Sequence, residues 1–181
     1  MSNKIKVDIH NLKNFSDQEK IKFIGAMTEM EKVINSKEFK IAILVHDFDQ
    51  KKGYTNLELY EMFMSGKSDF SAPDRDIDID LTLYYSWKNT VGYTYPSTWK
   101  TWINRKFFSK FSPSEIAMNV IHEDRHNAGF DHYSPLDWDS VPYAFGYIVR
   151  DLMQGKKPPV RYKTKKTVYK KPWYKKLFFW R

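Results

Sequence analysis

Residues 122–132 read HEDRHNAGFDH and hold three of the five histidines in this chain of 181 residues. His122 and His126 are four apart, so on a helix they share one face and can offer two imidazole nitrogens to one metal ion. Zinc takes such nitrogens at about 2.0–2.1 Å, and a catalytic zinc keeps three protein ligands and one open position. Glu123 adjoins the first ligand and can act as general base toward water at that position. Gly129 tolerates positive φ, so the chain can turn sharply after the helix and bring His132 round as third ligand. The chain has no cysteine, so a metal site must be built from His and carboxylates.

The helix that must carry these residues is marked at both ends. Ser112 is a good N-cap, Pro113 fits the first helical position, and Glu115 completes a capping box. The spacing predicts a helix running to about Ala128 and ending at Gly129. Upstream, FSDQEKIKFIGAMTEMEKVINS reads as a helix capped by Ser16 and Glu19, with Ile21, Ile24, Met27, Met30 and Ile34 as its apolar stripe. FKIAILVHDF, rich in β-branched and apolar residues, reads as a buried strand. TNLELYEMFMSG reads as a short helix from the Thr55–Glu58 capping box to Gly66. DRDIDIDLTLYYS alternates, with Ile77, Ile79, Leu81 and Leu83 on one side. Asp74, Asp76, Asp78 and Asp80 lie on the other, which suits a solvated sheet edge better than a cation site. TVGYTYP and TWINRKFF are two further strands, and SVPYAFGYIVRDLMQG is a last helix beginning after Pro142. The order helix, strand, helix, strands, helix, helix predicts an α+β domain.

Composition sets the outer limits. Hydrophobic residues make up 41% of the chain, enough for one domain with a real core. There is no run of eighteen apolar residues and so no membrane span. The start lacks the apolar stretch of a signal peptide, and with cysteine absent a cytoplasmic location is the expectation. The net charge is +8, but residues 156–181 hold eleven Lys or Arg and no acid. The other 155 residues keep 19 of the 30 basic residues and all 22 acidic ones. The chain therefore divides into a mildly acidic domain, 1–155, and a basic aromatic tail, 156–181.

The pattern at His122, Glu123, His126, Gly129 and His132 resembles the HExxHxxGxxH signature of the metzincin clan of zinc peptidases. A chain of this composition would show those five residues at those spacings by chance roughly a few times in a million, which separates the extended motif from a bare HExxH. The resemblance covers residues 77–150. It implies a zincin-like fold: a small, twisted, mostly parallel sheet with an active-site helix and flanking helices. It implies zinc on His122, His126 and His132, and Glu123 as the base in peptide hydrolysis. It also implies that the strand before the helix, Val91, Gly92, Tyr93 and Thr94, is the sheet edge that pairs with an extended peptide. Members of the clan carry a tight turn with a methionine beneath the metal. SVPY stands in that place with Pro142 where the methionine is expected, and Tyr143 is placed to stabilise an oxyanion or to pack over the site. A second departure is Arg125, at a position usually small in this clan. It requires a carboxylate or solvent, with Asp124 and Asp131 as candidates.

Weaker signals were weighed against these. Asp47, Asp49 and Glu58 sit at three places of a calcium loop, but Lys51 and a late Gly53 break the pattern. His10 and His46 carry the default reading of a surface or core role. The tail interleaves cations with aromatic rings and suits nucleic acid, an anionic membrane surface or an acidic protein surface. Two functions follow: a zinc metallopeptidase acting on protein or peptide, and a non-catalytic component of a larger assembly, such as a virus particle, anchored through residues 156–181.

Overall fold

The computed structural model describes residues 4–49, 51–68, 72–95, 98, 100–132 and 137–157. Four strands and six helices follow in the order β1 (Lys6–Lys13), α1 (Asp17–Ile34), α2 (Lys37–Val45), α3 (Asn56–Met64), β2 (Asp76–Tyr84), β3 (Gly92–Thr94), β4 (Lys100–Asn104), α4 (Arg105–Phe108), α5 (Pro113–Asn127) and α6 (Val141–Met153). The strands form one mixed sheet in the order β1-β2-β4-β3. The β1–β2 and β2–β4 pairs are parallel, and β3 runs antiparallel to β4 at the edge. The α+β class expected from the sequence holds.

The inner face of β2 is Ile77, Ile79, Leu81 and Leu83, all buried, as the alternation requires. Ile103 of β4 continues this face, and α1 and α5 belong to the same core. The helix caps come out as read. Ser16, Thr55 and Ser112 each accept from the backbone three residues on, and Glu19, Glu58 and Glu115 each reach back to complete a capping box. Glu58 is thus committed to closing a helix end.

Four readings of the sequence are corrected. FKIAILVHDF is no strand: residues 37–45 form α2, capped by Ser36. Phe39, Ala42 and Ile43 are buried while Ile41, Leu44 and Val45 are exposed, a spacing of three and four that only a helix gives. A strand not read from the sequence, β1, joins the sheet instead, and its Val7, Ile9 and Leu12 pack on the core. The stripe of α1 is rotated from the one expected, with Phe23, Ala26, Met27, Met30 and Ile34 buried. Ile21 and Ile24 are 72% and 48% exposed. Asp76, Asp78 and Asp80 line a face and no edge, since β2 pairs on both sides. Asp74 precedes the strand and accepts the Asp76 N–H. In TWINRKFF the strand stops at Asn104, whose side chain caps α4. The tail from residue 158 lies outside the described residues.

Candidate metal centre

Helix α5 brings His122 and His126 together as the four-residue spacing demands. Their Nε2 atoms are 3.2 Å apart. The helix ends in a Schellman turn: the Gly129 N–H donates to the His126 carbonyl, the Phe130 N–H donates to the Arg125 carbonyl, and Gly129 takes φ +83°. This turn carries the chain back so that one ligand atom from each of His122, His126 and His132 lies within 4.8 Å of the others. The three histidines predicted as ligands are thus assembled by one helix and its C-cap.

The turn has a second consequence. It presents the Phe130 carbonyl to the His126 ring, whose Nδ1 donates to it over 2.7 Å. The Pro142 carbonyl near His122 and the backbone of His132 itself act in the same sense, each raising a ring pKa that burial lowers. A carbonyl on one ring nitrogen fixes the tautomer and leaves the other nitrogen as a lone-pair donor. These carbonyls are invisible in a sequence, because any residue supplies one.

Burial outweighs these contacts. Desolvation holds His122 well below its ordinary pKa, helped by His126 and His132, and lowers His126 and His132 as well. Neutral imidazoles are the form that binds a cation. The donor set is three nitrogens with no thiolate, which suits zinc and neighbouring divalent ions of the first transition row.

Glu123 is 8% exposed. Burial raises its carboxyl from 4.5 to about 7, against a hydrogen bond from the Thr94 side chain that favours the charged form. Thr94 in turn lies 3.0 Å from the Thr101 hydroxyl. Glu123 therefore faces β3. A Cβ added at Gly92 would meet its Oε1 at 3.5 Å and the Trp102 carbonyl at 3.0 Å. Of the predicted substrate strand, Gly92–Thr94 form β3, while Val91 precedes it and accepts the Asn104 N–H with its carbonyl over 2.8 Å. β3 is the last strand in the sheet, and among the described residues its outer edge has no strand partner. Thr94 acts through its side chain as well as its backbone, a contact the sequence does not signal.

Tyr143 packs over the triad, its ring centroid 4.4 Å from His122 and 4.7 Å from His132. Burial first, then the Glu123 and Asp137 charges, push its hydroxyl up to about 12. Val141–Tyr143 are no separate turn: they open α6, which starts before Pro142, with a tight turn of Asp137–Ser140 ahead of them. Arg125 finds Asp124, as one of the two expected partners, with Nε 2.9 Å and Nη2 2.5 Å from Oδ2.

The loop between α2 and α3 holds the loop that carries His132. The Asp49 N–H donates to the Asp139 carbonyl over 2.8 Å, and Lys52 donates to the Gly129 carbonyl. His46 packs on Phe48 and sits 3.5 Å from Asp139. Among the described residues a second group of metal-competent side chains gathers Asp8, His10 and Asp78, far more exposed than the first. Comparison with protein-family models, curated proteins and solved structures finds no match for this chain.

Proposed function

We propose that this chain is a zinc-dependent metallopeptidase of metzincin type. The observation that carries the reading is the convergence of three neutral-biased imidazoles within 4.8 Å, beside a buried carboxylate that faces an edge strand. The motif resemblance implies an edge strand upstream of the helix of the triad, and the position of β3 at the end of the sheet supports the reading. Zinc held by His122, His126 and His132 would supply a Lewis acid that polarises a peptide carbonyl and makes water a nucleophile near neutral pH.

The remaining work falls to this chain's own residues. Glu123 takes a proton from the attacking water at a carboxylate oxygen, and its pKa near 7 suits it to give that proton to the leaving amine. Thr94 orients the carboxylate. The free edge of β3 hydrogen-bonds an extended peptide and lays its scissile bond along the site. The carbonyl of Phe130 holds His126 in the tautomer that keeps its Nε2 available. Tyr143 closes the site over His122 and His132 and excludes water from that side.

Elemental analysis of the purified protein, with cleavage of a peptide library by wild type and Glu123→Gln, tests this. Near-stoichiometric zinc, wild-type cleavage and an inactive variant are the expected results. Absence of any transition metal in freshly purified protein would refute the reading. The composition of the tail favours a second reading, in which the same domain is a non-catalytic part of an assembly anchored to nucleic acid or an acidic surface. Zinc without cleavage of any peptide would favour it. Arg125 does not, because it is accommodated without crowding the ligands.

A further inference from the structure

We propose that Tyr93 selects extended peptides carrying an aromatic residue on their outward side, whose ring stacks on Tyr93 and lengthens the stack that Tyr93 and Trp102 begin. The inference deepens the peptidase reading and rests on it for the cleavage arm of its test; the binding arm stands without it.

β3 addresses both faces of the sheet. A Cβ added at Gly92 would meet Glu123 Oε1 and Ile103 Cγ1, each at 3.5 Å, so Gly92 faces the helix of the triad. Thr94 shares that side, its hydroxyl 3.0 Å from that of the buried Thr101. Side chains alternate along a strand, so Tyr93 points the other way. Its cross-strand partner is Trp102, with ring centroids 5.3 Å apart and planes 8° from parallel. Tyr84 and Tyr95 each add a ring 5.5 Å from Tyr93.

The sequence marks the same patch. Residues 84–102 hold four of the chain's 12 tyrosines and three of its six tryptophans, and none of its 13 phenylalanines. The largest rings sealed in the core are Phe: Phe23, Phe39, Phe63, Phe108, Phe130 and Phe145. Rings with a polar edge suit a surface that is wet on one side and covered on the other, and interfaces favour them.

One side of the Tyr93 ring is open. Tyr95 stands 74° and 77° to the planes of Tyr93 and Trp102, 5.5 Å and 5.3 Å from them. Near-equal distances put Tyr95 across the seam of the pair. Beyond the free face of Tyr93 it would be much nearer to Tyr93 than to Trp102. Tyr84 arrives from β2, on the far side of β4, and its hydroxyl donates to the Thr90 carbonyl. Among the described residues no ring covers Tyr93 from the open edge.

The backbone sets where a guest ring falls. The Asn104 N–H donates to the Val91 carbonyl, and antiparallel bonding repeats every second residue. Val91 and Tyr93 therefore turn their backbone groups to β4, and Gly92 and Thr94 turn theirs to the open edge. A strand bonded there lies about 4.8 Å from β3, and its residue opposite Tyr93 projects to the Tyr93 face. That spacing is close to the 5.3 Å between Tyr93 and Trp102, so an aromatic side chain there becomes the third ring of the stack. The flanking peptide residues project toward Glu123. A slip of one residue would swing the ring to the wrong face, so the stack also fixes which bond lies at the site.

The test uses the full chain and short peptides of Ser and Thr in which one Phe, or one Ala in its place, is walked from end to end. In the binding arm, Glu123→Gln protein should bind the best Phe peptide about tenfold more tightly than its Ala counterpart, as a stacked ring and its buried area allow. The Gly92 and Thr94 amide signals should shift on binding. Tyr93→Thr, made in the same protein, keeps strand propensity and should bring the Phe-to-Ala ratio near one; Tyr93→Phe should preserve it. In the cleavage arm, wild type should show the same ratio in kcat/KM, with Phe at one fixed place relative to the cut. If Tyr93→Thr does not fold, Tyr93→Leu is judged by the same ratios. A ratio near one in wild type, or one that survives loss of the Tyr93 ring, overturns the proposal. Cleavage without aromatic preference leaves the peptidase reading standing and removes this one. Tyr93-dependent binding without cleavage of any peptide does the reverse.

Discussion

Two clusters in this molecule bring histidine together with metal-competent neighbours, and they are opposites. In the first, His122, His126 and His132 are all partly withdrawn from water, the His126 ring is tied to the Phe130 carbonyl, and desolvation lowers all three pKa values. In the second, His10 is 44% exposed, its Nε2 lies 2.7 Å from Asp78 and 3.8 Å from Asp8, and the Asp78 bond raises its pKa. The first set is biased toward neutral lone-pair donors. The second is biased toward an imidazolium paired with carboxylates. The residue type is the same; burial and the identity of the hydrogen-bond partner decide which chemistry it offers.

The comparison breaks most sharply on metal affinity. Removing one of three ligands should cost about a hundredfold or more in zinc affinity. His126→Ala should therefore lose zinc to a chelator that wild type resists, while His10→Ala should hold zinc like wild type. A protein that loses its zinc with His10→Ala and keeps it with His126→Ala would reverse the assignment.

The next effect lies at Glu123. Changing it to Gln should leave zinc bound and reduce peptide cleavage by about 10²–10⁴-fold, the usual worth of a general base. The same variant has a signature without metal. A carboxyl raised from 4.5 to about 7 favours the folded state below pH 4.5 relative to its ionised form, and that contribution is lost as pH rises through 7. At pH 8 in chelator, Glu123→Gln should therefore be more stable than wild type by about 3 kcal/mol at about 1.36 kcal/mol per pKa unit. Near pH 4.5 the two should melt together. Equal melting temperatures at both pH values would show that Glu123 is solvated.

A proton titration separates the clusters directly. The triad has folded pKa values below 6.5, so the unfolded chain binds more protons, and metal-free protein should lose stability as pH falls below 6.5. His10 runs the other way: its small, salt-screened contribution is present below 6.5 and lost as pH rises through its raised value. NMR titration should place His10 above 6.5 and the three triad rings below it. The smallest effect is Asp8→Asn, beside an exposed pair. It should change stability by about 0.5 kcal/mol or less and bring the His10 titration closer to 6.5.

The sequence by itself determined which three histidines come together, the carboxylate beside them and the helix that carries them. The reason is that these depend on local rules: four-residue helical spacing, the Ser112 box, and a glycine where φ must be positive. The strict alternation in β2 was legible for the same reason, as was the composition of the tail. Tertiary structure alone decided the rest. Whether FKIAILV is strand or helix turns on which faces find a core, and short apolar runs look alike until the sheet is complete without it. The true stripe of α1 depends on which neighbour arrives, so Phe23 displaces Ile24 with no change in local pattern. The partner that orients His126 is the carbonyl of Phe130, which no residue letter encodes. Arg125, awkward on paper beside a histidine, becomes a buried cation only when Phe63 and Phe145, 62 residues before it and 20 after it in the sequence, are folded against it. Such contacts join distant parts of the chain, and their energy comes from burial that local spacing cannot report.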